Sequence, residues 1–186
     1  MTAIWNNFAD GTKTLEYYAD AMARLGADTA ASTSEIANSL EKFAAIADVV
    51  GLSYETAMAS VATVIDKTRQ SADVVGTAFK TIFARVQGLS LDGVTDDGVS
   101  LNKYSKALEK VGVDVLTASG ELRDMDDILN DLGSKWEGLG KETQVAVAQV
   151  VGGTRQYNQI LALMDNWADV QTNINKATSA TGELNA

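Results

Sequence analysis

The chain contains no proline in 186 residues. Proline pre-sets the backbone for turns and cannot sit inside a helix without breaking it. A loop-rich or all-β chain of this length would use several. Without it, long helical runs go uninterrupted and the 15 glycines become the main punctuation. Hydrophobic residues make up 46 % of the chain but aromatic ones only 6 %. Much of the apolar content is alanine, which favours helix but fills little volume. Any core is therefore built from Ala, Val, Leu and Ile with few large anchors.

Apolar residues at three- and four-residue steps predict the helices. The first runs from Thr12 to Leu25, with Leu15, Tyr18, Ala19, Met22 and Leu25 on one face and Gly26 as its C-terminal stop. The second is Ser34 to Val50, with capping-box spacing at Ser32 and Glu35 and a stop at Gly51. Ser53 then N-caps a third helix, Tyr54 to about Lys67, folded back on the second as an antiparallel hairpin. Ser71 caps a fourth, Ala72 to Gln87, whose stripe is Ala72, Val75, Gly76, Phe79, Ile82, Phe83 and Val86. Gly76 within that stripe points to close approach of a second helix.

Gly88 to Gly98 reads as a loop, followed by a short helix from Leu101 to Val111 that ends at Gly112. Between Val113 and Arg123, the alternation of Val113, Asp114 and Val115 and the Ser119-Gly120 turn predict a small β-hairpin. Met125 to Leu139, Lys141 to Val151 and Thr154 to about Ala177 are the remaining helices, separated by Gly138, Gly140 and Gly152-Gly153. The expected fold is mainly all-α, a compact bundle of short helical hairpins with one small β-hairpin near residues 113–123. Residues 1–91 form one helical half, 92–98 an acidic Gly-rich loop, 99–177 a second half carrying the hairpin, and 178–186 a flexible tail. Together they are expected to be one domain.

Histidine and cysteine are both absent. That excludes Ser-His-Asp and Cys-His nucleophiles, His-ligated metals and thiolate zinc sites within the chain. The net charge is −10, so there is no basic footprint for nucleic acid. Between Leu91 and Glu137 eleven acids stand against five bases, read as a solvated surface. The longest uncharged run, Thr143 to Thr154, is too short and too polar to span a membrane. The first residues have neither the basic nor the apolar region of a signal peptide.

Four features invite a chemical reading. Placing Gly98 at the sixth position of a calcium loop puts Gly93, Thr95, Asp97 and Tyr104 at the first, third, fifth and twelfth ligand positions. One acid among four makes this a turn. The carboxylate pairs Asp96-Asp97 and Asp126-Asp127 are sequence neighbours, which diverge on a helix. Asp124 and Asp127 are better spaced. Glu121, Asp124, Asp126 and Asp127 lie at the start of a helix, where they meet the positive end of its dipole. Gly152-Gly153-Thr154-Arg155 lacks the Gly-Lys-Ser/Thr ending and preceding strand of a phosphate loop and reads as a connector. Trp136-Glu137-Gly138 matches the turn of small exported WXG-type proteins and otherwise reads as a core Trp at a helix end. No catalytic, cofactor-binding or metal-ligating residue is expected.

Several stretches, in order, resemble the phage tail tape measure protein family. They are Ser34-Glu35-Ile36-Ala37, Leu40-Glu41-Lys42-Phe43-Ala44 and Val50-Gly51-Leu52-Ser53-Tyr54-Glu55, then the run from Ala72 to Phe83. Gly112-Val113-Asp114-Val115, Gly120-Glu121-Leu122-Arg123-Asp124 leading into Asp127-Ile128-Leu129, and Val151-Gly152-Gly153-Thr154-Arg155-Gln156 complete the pattern. The resemblance covers about Thr12 to Met164. It implies a structural role in tail assembly, tail-length determination and genome ejection, with no catalytic motif in this region. The implied partners are other copies of the chain, the tail tube protein, tail assembly chaperones and tail tip proteins. The implied location is the tail tube lumen of the virion, after host cytoplasm during assembly. Family members are commonly several times longer, so this is expected to be a fragment, a compact module of a longer ruler. Fully extended as helix it would span roughly 280 Å. The competing expectations are an exported helical interaction protein of WXG type and a muralytic enzyme domain using Asp124, Asp127 and Glu137.

Overall fold

Hydroxyl side chains start five successive helices. Thr14, Ser32, Ser53, Ser71 and Ser100 each sit in extended backbone and accept a hydrogen bond from the N–H three residues on. This satisfies one of the donors a helix start leaves open. At Ser32 the reciprocal half is present too, because Glu35 accepts from the Ser32 backbone N–H at 2.8 Å. The computed structural model describes residues 2–182. Among these the chain forms α1 (Thr2–Phe8), α2 (Leu15–Asp28), α3 (Thr33–Val49), α4 (Tyr54–Thr68), α5 (Ala72–Asp92), α6 (Leu101–Glu109), α7 (Met125–Lys135), α8 (Lys141–Asp165) and α9 (Trp167–Ser179). A 3₁₀ turn, Trp136–Gly138, follows α7.

α4 is the hub. Every residue from Tyr54 to Ile65 is buried, so the helix is covered on all sides, as an apolar helix inside a protein must be. α3, α5, α8, α9 and α2 pack around it. The broadest contact in the fold is between α3 and α5. There Phe43, Phe79 and Phe83 meet with ring centroids 5.6 to 5.8 Å apart. The α5 stripe read from the sequence faces this core, since Val75, Phe79, Ile82, Phe83 and Val86 are all buried. Gly76 marks the close approach. A Cβ there would lie 2.8 Å from the Ser39 carbonyl oxygen and 2.9 Å from its Cα.

Several expectations need correction. α1 was not foreseen. It docks through buried Ile4 and through Trp5, edge-on to Tyr18 at 5.3 Å, while the Tyr18 hydroxyl donates to the Phe8 carbonyl. Gly26 does not end α2. The helix continues to Asp28, and Gly26 sits against the Thr33 backbone where α3 begins. Gly88 does not end α5 either, because Leu89 extends the apolar stripe and is buried. The helix stops at Asp92, and Val94 folds back over Gly88. Gly51, by contrast, is the stop expected of it. Its φ of 72° is left-handed, a conformation glycine adopts without steric cost.

The β-hairpin over 113–123 does not form. A single antiparallel bridge joins Leu116 to Leu122 across a turn in which Gly120 N–H donates to Thr117 O. Both arms are drawn off after that pair. The N–H of Val113 donates to Leu108 at the end of α6, and that of Met125 donates to Val50 beyond α3. A two-stranded ribbon is marginal alone, and the helices outcompete it for backbone partners. The last expected helix, 154–177, is broken at Asn166, whose side chain bonds back to the Ala162 carbonyl. Of the tail expected from Thr178, the first residues belong to α9, Ala180 is buried, and Gly182 N–H donates to Asp20 at 2.7 Å. Residues 183–186 lie outside the described residues.

Replacing Gly76 by Ala separates helix propensity from packing. Propensity alone would favour Ala by about 1 kcal/mol. The Ser39 backbone cannot retreat without moving α3, so we expect a net loss of about 1–3 kcal/mol in urea unfolding. A gain in stability would mean the seam is looser than described.

Candidate functional site

The charged side chains that enter the interior do so at junctions between elements. Arg85 on α5 has only 5 % of its side chain exposed, whereas Asp97, its partner, is 45 % exposed. Nη1 donates to Asp97, Nη2 to the Val150 carbonyl at 2.6 Å and Nε to that of Val151 at 3.4 Å. Asp97 also accepts from the Thr95 hydroxyl at 2.6 Å. One guanidinium thus ties α5, the 93–100 loop and the middle of α8 together, using its planar fork of donors. The Arg85 guanidinium holds the Asp97 carboxyl below the usual carboxylate range. α8 is bent beside it, with Gly153 at φ 77° and ψ 166°. Arg85, Asp97, Lys80, Thr154 and Arg155 border a cleft of about 710 Å³.

The second junction lies where α7 meets the α3–α4 turn. The N–H groups of Met125 and Asp126 donate to the Val50 and Gly51 carbonyls, capping the end of α3. In return the Asp126 carboxylate accepts from the backbone N–H of Ser53 at 2.9 Å, at the start of α4. The expected dipole role of Asp126 therefore extends to a second helix. Burial pushes its carboxyl above the ordinary value, against hydrogen bonds from Ser53 and Thr56 that favour the charge, and neighbouring Asp127 adds to the rise. Nearby, Glu55 is buried and bonded to Lys13 and to the Tyr17 hydroxyl. Burial works against its charge, but those two partners outweigh it and hold its carboxyl below the ordinary value. Asp10, Asp48 and Asp124 share the rim of this cleft, about 420 Å³ in volume.

Of the acids singled out from the sequence, Asp124, Asp126 and Asp127 line this one cleft beside Glu55, whereas Glu137 does not. Asp124 is the N-cap of α7 without a side-chain capping bond, and packs where a Gly51 side chain would be. Asp127 is exposed, and Glu137 lies beyond the far end of α7 in the 3₁₀ turn. Trp136 is buried, its Nε1 donating to Asp165 at 2.7 Å and its carbonyl accepting from Gln144 at 2.8 Å. Asp97, weighed above as a calcium ligand, is the partner of Arg85 instead. Among the described residues no group of three or more acids is placed to hold a metal ion, and no helix is long and apolar enough to cross a membrane. Sequence reasoning missed Arg85 and Gly153 as a unit. The available signals were an arginine between Phe83 and Val86 in an apolar helix and a glycine pair between two helical runs.

Interior charges spent on joining helices, around an aromatic-poor core, define a helical structural module. The family model for phage-related minor tail proteins matches residues 1–153, and the chain belongs to that family. Its role is that of a structural component of the phage tail. No solved structure matches the chain.

Two substitutions probe the junctions. Arg85→Met leaves the Val150 and Val151 carbonyls without their donor and Asp97 without its cation, so we expect a loss of about 2–4 kcal/mol in urea unfolding. A loss under about 1 kcal/mol would show that water replaces the arginine. Asp126→Asn keeps an acceptor for Ser53 and removes the half-buried charge. Because the native pKa of Asp126 is raised, the folded state binds the proton more tightly than the unfolded one, and the parent loses stability as pH rises through that window. The Asn variant should therefore gain on the parent from acid towards neutral pH, and the difference should level off above the native pKa. Denaturation midpoints across pH 3–8 that diverge the other way would reverse the assignment.

Proposed function

We propose that the chain is a segment of a tail tape measure protein, acting in tail assembly, tail-length determination and genome ejection. The observation that carries this reading is the family match over residues 1–153, joined to the ordered resemblance described above. Three of the resembling stretches fall at junctions between helices. Val50 to Tyr54 is the turn capped by α7, Ala72 to Phe83 is the α3–α5 seam, and Val151 to Gln156 is the bend in α8.

On this reading the module occupies the tail tube lumen of the virion after assembly in the host cytoplasm. Its partners are other copies of itself, the tail tube protein, tail assembly chaperones and tail tip proteins. Its excess of acids, −10 overall, keeps such a module from binding the phosphate backbone of a genome that shares its channel. The exposed apolar side chains Leu15, Val49, Val74 and Leu91 are candidate contacts to the protein partners.

The test is an in-frame deletion of residues 1–153 in the gene that encodes the chain, with tails measured by electron microscopy. If the segment acts as extended helical ruler, tails shorten by up to about 230 Å, at 1.5 Å per residue. Loss of tails altogether supports the assembly role. Infectious particles with tails of unchanged length would reject the proposal.

A further inference from the structure

Residues 154–182 hang from the rest of the chain through Gly153. The second arm of α8, residues 154–165, and α9 bury Ile160, Leu163, Met164, Trp167, Val170 and Ala177. Their seat is made by helices far earlier in the chain. α9 packs mainly on α4 and α2. Asn173 donates to Thr63 at 2.9 Å, Lys67 pairs with Asp169, Lys176 pairs with Asp28, and the Trp167 ring lies over Gly133. The family match ends at residue 153, so this arm begins where the match stops.

The bend has two states open to it. At φ 77° and ψ 166°, Gly153 occupies a region that only glycine populates readily. The chain doubles back so closely that a Cβ on Gly152 would lie 3.0 Å from the Ile160 side chain and 3.1 Å from the Tyr157 Cα. With Gly153 in helical conformation, α8 becomes one rod of 25 residues, about 37 Å long. In that rod the N–H groups of Thr154 and Arg155 point at the Val150 and Val151 carbonyls. These are the two carbonyls that Arg85 now holds. Arg85 therefore competes directly with the straight helix.

A lone chain cannot straighten, because the buried apolar residues of the arm would face water. A second copy removes that obstacle, since it offers an identical seat in which every contact is remade. We propose that residues 154–182 exchange between two copies of this chain, with Gly153 as the hinge and Arg85 as the contact that holds the closed monomer. The balance is set at the hinge alone, as in other exchanges of identical elements.

The chain has no cysteine, so Thr63→Cys with Asn173→Cys reports which chain fills the seat. Those two side chains touch in the structure. In the otherwise unaltered protein we expect an intrachain disulfide and a monomer by light scattering. Gly153→Ala penalises the bent state and suits the rod, so its dimerisation constant should rise at least about ten-fold, with disulfides that link the two chains on a denaturing, non-reducing gel. Arg85→Gln should shift the balance the same way. A folded Gly153→Ala variant that stays monomeric would overturn the proposal, as would one that dimerises with intrachain disulfides. If that variant does not fold, the double-cysteine protein is refolded at rising concentration. Interchain linkage growing with concentration supports exchange, and intrachain linkage throughout overturns it.

Discussion

The close approach of α3 and α5 is the constraint on which the rest of the fold depends. A core with so few aromatic side chains cannot hold helices far apart and still be filled. Gly76 against Ser39 is where this becomes visible, because there the helix backbones all but touch. The Ser39 hydroxyl closes the contact by donating to the Ala72 carbonyl at 2.7 Å. With the backbones that near, Phe79 stacks on Phe83 and Phe43 packs tilted against both, filling what the alanines leave open. The same economy recurs where Gly26 meets Thr33 and where Gly133 underlies Trp167. Glycine in this chain is a packing residue at least as often as a stop.

That dual use explains what the sequence could and could not convey. Helix starts were legible because a hydroxyl before an apolar stripe has one dominant use, and Ser32, Ser53 and Ser71 serve it. Stripe faces were legible for the same reason, as the burial of Val75, Phe79 and Ile82 illustrates. Helix ends were less so. Gly51 and Gly26 look alike in sequence, and only the tertiary neighbours decide that one turns left-handed while the other admits Thr33. The 113–123 segment carried a true local turn signal at Ser119-Gly120, but Leu108, which takes the Val113 N–H, and Val50, which takes that of Met125 just past the segment, both lie outside it. The Arg85–Asp97–Val150 junction joins residues 12 and 65 positions apart, and no spacing rule reaches that far.

The charges at the helix junctions follow one logic. Asp126 and Arg85 each serve backbone groups that a helix end or bend leaves open, and each does so on an element other than its own. A buried charge is costly unless its hydrogen bonds are met, and broken helices supply unmet donors and acceptors in quantity. The chain thereby turns the liability of many short helices into specific cross-links among them. Asp126 carries a residual cost, seen in the upward displacement of its carboxyl, whereas Glu55, with Lys13 and Tyr17 against it, does not.

α4 sets the terms for the C-terminal arm. A helix buried from Tyr54 to Ile65 on every side needs a cover, and α9 is a principal part of that cover. Burying a large apolar side chain contributes about 1.5–3 kcal/mol, so the residues of the arm together account for on the order of 10 kcal/mol. An empty seat is therefore not a populated state of the molecule, while the source of the arm is left to a far smaller balance at Gly153. Under the proposed exchange, a seat that must be filled but is indifferent to which copy fills it turns local concentration into connectivity. On that proposal the module's stability and the joining of copies rest on the same buried surface, and only the bend in α8 distinguishes them.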